Sequence, residues 1–256
     1  MSPEDLTDLL EEQVAYYRAR APEYDKWFLR EGVYDLGGEF NLAWQAELAA
    51  VRDALDDFAP EGNVLDLAAG TGLWTEQVAR HASHVTAVDA APETLAINRK
   101  RLRTTSTPVE YVEADLFSWT PDRRYDAVFC GFFFTHVPTQ RVEAFWSLVA
   151  AALKPGGRFF LVDNAHPFED VVGSFLGLTT KESRVRTPWS TTDLATGTST
   201  RRLEDGREFK IVKVYWESSE LEELLRGLGW DATFATTGRF FVYGHGELRG
   251  SGDPAP

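Results

Sequence analysis

Residues 64–75 read VLDLAAGTGLWT, an apolar run with one acid that leads into two closely spaced glycines. The run is too apolar for a half-exposed strand, so it predicts a parallel strand covered on both faces. Gly70 and Gly72 have no Cβ, and a strand that ends in such a loop before a helix lets a nucleotide-like ligand reach the backbone. The stretch therefore predicts an α/β fold with a ligand site after its first strand.

Four further apolar runs repeat this pattern, at 85–88, 109–113, 126–130 and 158–162, with helical segments between them. The clearest helix is VEAFWSLVAAAL, which the following KPGG should end. With two more strands near the C-terminus, the alternation predicts a doubly wound, mostly parallel, seven-stranded sheet. Such sheets bind ligands outside the carboxyl ends of their strands.

The flanking segments are expected to cover this core. Apolar residues at helical spacing predict an N-terminal helix and a second helix over 39–58. TPWSTTDLATGTST (187–200) predicts a loop or lid, EFKIVKVYWE (208–217) a strand, and SSELEELLRGLG (218–229) a helix capped by serine. We expect one domain over 1–256, made of a helical cover (1–38), a ligand-binding core (39–163), an inserted lid segment (164–216), the C-terminal part of the sheet (217–247) and a tail (248–256).

Composition and charge restrict the partners. The chain has 40 acidic and 26 basic residues and a formal charge of -14, so its average field repels nucleic acid and anionic lipid. A single cysteine excludes an internal disulfide, and no apolar stretch approaches the roughly 20 residues of a spanning helix. We expect a cytoplasmic protein with no membrane or nucleic-acid partner, and a homo-oligomer is left open.

The identity of the ligand depends on charge. A dinucleotide site usually has a third small residue where this chain has Thr75, and Asp66 inside the strand would repel a pyrophosphate. The same carboxylate favours a ligand with an amino group or a sulfonium. Asp89 closes the second strand, where it can accept both hydroxyls of a ribose, and Asp115 follows the third, where it can accept from an adenine amino group. Together they describe S-adenosylmethionine (SAM) better than a nicotinamide cofactor.

Five ordered motifs carry a family resemblance. They are VLDLAAGTG (64–72), VDAA (88–91), EADLF (113–117), YDAVFCGFFFTHVP (125–138) and LKPGGRFFLVD (153–163). The chain resembles a class I SAM-dependent methyltransferase, strongly over residues 45–163 and more weakly over 217–244. The resemblance implies SAM as the cofactor, and it implies that the following residues contact it: Tyr17, Arg20, Asp66, Ala68, Gly70, Gly72, Asp89, Ala90, Asp115, Leu116 and Cys130. Tyr17 and Arg20 are expected to close over the methionine end.

The fourth-strand motif restricts the acceptor. Its end, residues 130–136, shows neither the [DN]-P-P-[YF] of base or amide methyltransferases nor the carboxylates of a metal-dependent catechol-type enzyme. We therefore expect a metal-independent enzyme that methylates O, N or C of a small, apolar or aromatic molecule. Methyl transfer is a displacement at carbon, so the enzyme has to align the acceptor, exclude water and, for a weakly acidic acceptor, remove a proton.

His136 is the candidate general base, because imidazole titrates near neutrality and lies here at a strand end. A histidine in this position can instead bond only to backbone. Expected acceptor contacts are Tyr24, Trp27, Phe132, Phe133 and His166, although a triple aromatic run is more often core. The cationic side chains at Lys181, Arg184, Arg186, Arg201, Arg202 and Arg207 could meet an anionic acceptor, but a solvated face is favoured.

Two other functions stay open. An NAD(P)-dependent oxidoreductase requires that the pyrophosphate tolerate Asp66. A SAM-binding protein without catalysis would have less use for the long inserted segment.

Overall fold

The computed structural model describes residues 2–175 and 187–249. In chain order the strands are β1 Gly62–Leu67, β2 Ala82–Asp89, β3 Val109–Glu113, β4 Tyr125–Gly131, β5 Leu153–Asn164, β6 Ser190–Asp193, β7 Thr198–Arg202, β8 Glu208–Val212, β9 Trp230–Thr236 and β10 Phe241–Leu248. The α-helices are α1 Pro3–Arg20, α2 Tyr24–Leu29, α3 Gly38–Phe58, α4 Thr75–Val78, α5 Pro92–Arg101, α6 Val142–Ala152, α7 Phe168–Phe175 and α8 Ser218–Gly227.

The predicted seven-stranded sheet is confirmed, with the order β3-β2-β1-β4-β5-β10-β9. β10 is antiparallel to both of its neighbours, and the other pairs are parallel. β1 lies between β2 and β4, so the direction of winding changes beside β1. At such a point the loops after neighbouring strands diverge and leave a crevice.

The sheet is buried on both faces, as its apolar strands predict. One face carries α3, whose Trp44, Val51 and Leu55 are fully buried. The other carries α6 and α8, with Trp146 and Leu221 in its core. Burial on both faces holds the carboxyl ends of the strands in place.

The N-terminal helices are tied to the carboxyl edge of the sheet. Arg18 of α1 forms an ion pair with Glu93 of α5 at 3.1 Å. Asp25 of α2 accepts a hydrogen bond from Thr71 Oγ1 at 2.6 Å and pairs with Arg101. The first contact is exposed, but the Asp25 contacts are partly buried, and Thr71 belongs to the glycine loop. The predicted N-terminal cover is therefore present.

The inserted segment differs from the predicted loop. Residues 190–212 form a separate antiparallel sheet of order β6-β7-β8. Its polar composition misled the prediction, because the buried hydroxyl groups have partners within the fold: Ser190 Oγ donates to the Glu169 carboxylate at 2.5 Å, and Thr192 Oγ1 lies 3.3 Å from Ser199 Oγ.

Smaller predictions need correction too. The strand expected over 208–217 ends at Val212, and α8 is capped by Glu217 in a capping box with Glu220 rather than by serine. Lys181, Arg184, Arg186 and the tail beyond residue 249 lie outside the described residues. Across residues 2–175 and 187–249, none of the helices has both the length and the apolar character needed to cross a bilayer.

Candidate functional site

The loop after β1 has a left-handed backbone at three positions, Ala68 (φ 54°), Gly70 (φ 54°) and Gly72 (φ 87°). The two glycines serve different purposes. A Cβ on Gly70 would meet nothing closer than 3.9 Å, so this backbone is open to a ligand. A Cβ on Gly72 would lie 2.6 Å from the side chain of Asn98, which is fully buried. Gly72 is therefore needed for packing against α5.

Asp89, at the end of β2, is held by the same loop. Its Oδ2 accepts from the Gly70 N–H and its Oδ1 from the Ala91 N–H, both at 2.8 Å. Burial raises the pKa of this carboxyl, and the backbone hydrogen bonds act in the opposite direction. Thr94 Oγ1 also lies 3.2 Å from Oδ1, but its single proton can go to Ala91 O at 2.7 Å. Each carboxylate oxygen then keeps a lone pair for a further donor, so Asp89 can accept two hydroxyl groups from a ligand.

A cavity of about 440 Å³ opens beside this carboxylate, and we call it the first cavity. Of the residues predicted to contact the cofactor, it is lined by Tyr17, Ala68, Gly70, Asp89, Ala90, Asp115 and Leu116. α1 supplies another wall through Leu10 and Val14. Its charged lining comprises Glu11, Asp89, Asp115 and Arg141, a balance that does not suit a pyrophosphate.

Asp66 lies in a small cleft that adjoins the first cavity at Ala68, Gly70 and Gly131. Its Oδ2 accepts from Thr75 Oγ1 at 2.6 Å. Burial raises the pKa of this carboxyl to about 7. A ligand ammonium group in the cleft would favour its ionised form.

Two residues predicted to contact the cofactor lie elsewhere. The Cys130 side chain is buried in the hydrophobic core, and the next residue, Gly131, lines the first cavity instead. The Arg20 side chain lines a different cavity. The position of Arg20 in α1 did not by itself predict which cavity its side chain would line.

This second cavity, of about 40 Å³, lies under α1, α2 and the inserted sheet. Its lining comprises Tyr16, Tyr17, Arg20, Tyr24, Trp27, Tyr34, Phe132, His136, Asn164, His166, Phe168, Trp189, Arg201, Lys213 and Tyr215. Three of these residues, Tyr17, Tyr24 and Phe132, also line the first cavity. The two cavities therefore meet at these rings.

Phe132 occupies this junction in a strained conformation. Its φ is 59°, which is uncommon for a bulky residue, and its N–H donates to Val162 O at 2.7 Å. The ring packs between Phe28 and Trp74. Packing thus stabilises a backbone conformation that directs the ring to the meeting point.

The predicted base, His136, has both ring nitrogens engaged. Nδ1 lies 2.8 Å from Val212 O and Nε2 lies 2.7 Å from Tyr17 Oη. Since a carbonyl can only accept, Nδ1 carries the proton and Nε2 accepts from the Tyr17 hydroxyl. Burial lowers the pKa of His136 well below 6.5, and Lys213, Arg201 and Arg20 lower it further.

The other predicted acceptor contacts divide between the two cavities. Trp27 and His166 line the second cavity, Phe133 lines the first, and Tyr24 lines both. His166 is partly exposed, with Nδ1 3.9 Å from Glu217 Oε1.

Sequence reasoning missed Lys213 and misjudged Arg201. Lys213 is 2% exposed, and its lone charge within the apolar run IVKVYW (211–216) was the available signal. Arg201 lines the second cavity, whereas Arg202 and Arg207 are exposed as expected. In the described part of the chain, no three His, Cys, Asp or Glu side chains are placed to hold a metal ion.

Comparison with known proteins agrees with this geometry. A family model described as a methyltransferase domain matches residues 64–157. The complex of DhpI with SAH is 34% identical to this chain, covers 94% of it and 97% of DhpI, and has a TM-score of 0.70. The complex of DhpI with SAM and HEP is 35% identical, covers 93% of this chain and 97% of that one, and has a TM-score of 0.69.

Curated relatives match a shorter part. The ubiquinone biosynthesis O-methyltransferase of Xylella fastidiosa (strain 9a5c) is 39% identical over 101 residues, which is 38% of this chain and 40% of that protein. The chain spans about two fifths of the length of the curated relatives it matches. With the domain match and the nearly full-length similarity to DhpI, the chain belongs to the class I SAM-dependent methyltransferases.

Proposed function

We propose that this chain transfers a methyl group from SAM to a small molecule bound in the second cavity. The observation that carries the proposal is the meeting of the two cavities at Tyr17, Tyr24 and Phe132. A nucleoside-sized cavity and a smaller polar one that share a wall can hold a donor and an acceptor side by side, and alignment is the main requirement of a displacement reaction.

The residues of the first cavity fit SAM. Asp89 would accept the ribose hydroxyls, Asp115 with Leu116 would bind the adenine edge, and Asp66 in the adjoining cleft would bind the amino group. The open backbone at Gly70 leaves room for the chain between them. When bound, SAM supplies a methyl carbon on a positively charged sulfur.

The cover excludes water from the meeting point. α1 and α2 place Tyr17 and Tyr24 over it, and the contacts of Asp25 with Thr71 and Arg101 hold α2 to the glycine loop. Exclusion of water strengthens electrostatic interactions within the site. Transfer to oxygen is supported by the similarity to an O-methyltransferase of ubiquinone biosynthesis, and the complex of DhpI with SAM and HEP supports a site that holds SAM together with a second molecule.

Titration of the protein with S-adenosylhomocysteine (SAH) and with NADH, each followed by calorimetry, tests the cofactor. We expect SAH to bind and NADH not to bind, and the reverse result would support the oxidoreductase alternative. Incubation with methyl-labelled SAM and a metabolite extract then tests transfer. Label should appear in a small molecule, whereas a protein that binds SAM without catalysis would label nothing.

A further inference from the structure

We propose that the methyl acceptor is a small oxyanion, held in the second cavity by Arg20, Arg201 and Lys213. This inference rests on the proposed function, because it names the substrate class of the same site. The aromatic wall suits the apolar or aromatic acceptor that the sequence favoured, but the charges of the cavity lead to a different class.

The charged side chains that line the second cavity are all cationic, and two histidines line it as well. Arg20, Arg201 and Lys213 line it, and none of its described lining residues is an Asp or Glu. They come from three segments: the end of α1, strand β7 and the residue after β8. Each of them lowers the pKa of His136, so their fields converge at that ring.

Arg20 is buried without an ion-pair partner among the described residues. It is 9% exposed, and its buried Nε has no hydrogen-bond partner. Its guanidinium lies over the rings of Tyr16 and Tyr24, at 5.5 and 4.9 Å from their centroids. Aromatic faces stabilise a cation but do not satisfy its N–H donors, so the side chain is left with capacity for an anionic ligand.

Lys213 is partly neutralised but keeps one donor. Its Nζ donates to Thr135 Oγ1 at 2.6 Å and to Asn164 Oδ1 at 3.0 Å, and it lies 3.7 Å from Asp163 Oδ1. An ammonium group has three donors, so one remains after the two hydrogen bonds. Asp163 offsets the charge of Lys213, and the excess positive charge of the cavity comes from the two arginines.

A fourth cation, Arg30, lies behind the aromatic wall. It is 3% exposed, and all of its guanidinium nitrogens lack hydrogen-bond partners. The guanidinium lies 3.8 Å from the Trp44 centroid and 5.1 Å from that of Phe168, a lining residue. Glu169, the nearby buried acid, is engaged by Ser190 and Thr192. These hydrogen bonds leave the charge of Glu169 in place, so Asp163, Glu169 and Glu23 offset part of the positive potential of the four cations, and an excess of one positive charge remains.

The size of the cavity suits a compact anionic group. Its volume of about 40 Å³ is room for roughly three water molecules by the usual measure of one per 10–15 Å³. A phosphate-type or carboxylate group fits, with one of its oxygens at the junction with the first cavity beside Tyr17, Tyr24 and Phe132, where the methyl donor would lie.

An oxyanion also needs no general base, which agrees with the engagement of both ring nitrogens of His136. A lone pair of the acceptor oxygen would form the new O–C bond while the S–C bond breaks and leaves its electron pair on sulfur. The sulfonium and the acceptor each lose one charge, and no proton has to be removed. Both ring nitrogens of His136 form hydrogen bonds, and the role that this geometry gives His136 is to position Tyr17.

The test measures anion binding to the protein saturated with SAH, which occupies the first cavity. Inorganic phosphate, acetate and phenol are titrated separately by calorimetry, with the fluorescence of the lining residues Trp27 and Trp189 as a second readout. We expect phosphate or acetate to bind and phenol to bind at least tenfold more weakly. The preference between the two anions distinguishes a phosphate-type acceptor from a carboxylate.

Variants assign the binding to this cavity. Arg20→Met and the half-buried Arg201→Gln should each weaken the better anion at least fivefold, with SAH affinity changed less than twofold. Arg202→Gln is the matched control, because Arg202 is the exposed neighbour on β7 and should leave the anion affinity within twofold. If Arg20→Met unfolds, as a thermal melt would show, Arg201→Gln decides.

The opposite results overturn the inference. They are failure of both anions to bind the SAH-loaded protein, tighter binding of phenol, or unchanged anion affinity in Arg201→Gln. In each case SAH still binds and the proposed function stands. Failure of the wild-type protein to bind SAH would instead overturn the proposed function and this inference with it.

Discussion

Tyr17 Oη donates a hydrogen bond to His136 Nε2 over 2.7 Å, although the two residues are 119 positions apart in the chain. His136 Nδ1 in turn donates to Val212 O. Gln13 completes the arrangement, since its Nε2 donates to His136 O and its Oε1 accepts from Val212 N. α1, the turn after β4 and strand β8 are thus joined where the two cavities meet.

Tyr17 and His136 should behave as one unit. His136 can act on the acceptor only through Tyr17, so Tyr17→Phe and His136→Ala should each lower turnover by about 10- to 100-fold, as expected for misplaced reacting groups. The double variant should lose no more than either single one. Turnover with labelled SAM and SAH affinity by calorimetry measure this, and losses that multiply would show independent roles.

The stability of the protein should fall in acid partly because of His136. Its folded pKa lies well below 6.5, so below pH 6.5 the unfolded chain binds the extra proton first and stability is lost as the pH falls. His136→Gln should show a smaller loss of unfolding free energy between pH 7 and pH 5 than the wild type. His245→Gln is the control, because His245 is exposed; equal slopes in all three proteins would contradict the assignment.

Loss of the Asp89 carboxylate should weaken SAH binding. Asp89→Ala removes the acceptor for the ribose hydroxyls and for the Gly70 and Ala91 N–H groups. We expect the Kd for SAH to rise more than tenfold, which is about 1.4 kcal/mol or more. Asp122→Ala serves as control, since this exposed side chain pairs with the adjacent Arg123 and lines neither of the two cavities. Near-normal affinity of Asp89→Ala would mean that the ribose is bound elsewhere.

The two loop glycines should separate stability from binding. Gly72→Ala combines left-handed strain with overlap onto Asn98, so it should lower the free energy of unfolding by roughly 2–4 kcal/mol. Gly70→Ala has only the strain of about 1–2 kcal/mol, but its methyl group enters the ligand's space. Urea unfolding and SAH titration compare them, and a larger stability loss in Gly70→Ala would reverse the assignment.

Asp66 should cost stability at neutral and alkaline pH. Burial raises its folded pKa from the ordinary 3.8 to about 7, so the unfolded chain releases the proton first and stability falls as the pH rises from 3.8 to 7. Asp66→Asn removes this penalty. Its melting temperature relative to wild type should therefore be higher at pH 8 than at pH 4, and a difference independent of pH would show that Asp66 is ionised throughout.

Much of the first cavity follows from local sequence. Asp89 is the last residue of β2, and Asp115 lies just after β3. The carboxyl ends of parallel strands meet at one edge of the sheet, whichever side chains they carry. The apolar runs and the glycine loop were sufficient to place them. For the same reason the seven-stranded sheet could be predicted from alternation alone.

The second cavity could not be predicted in this way. Arg20, Arg201 and Lys213 belong to segments that meet only when the cover and the inserted sheet pack on the carboxyl edge, and no spacing in the chain records that contact. Strands β6 and β7 were not predicted, because their many Ser and Thr residues are typical of a loop. In the fold these hydroxyl groups are buried and hydrogen-bonded. The sequence by itself determined the sheet and the charge pattern along its edge, because these depend on short-range periodicity. Only the tertiary structure decided which cations meet and that His136 faces Tyr17, because long-range packing brings these side chains together.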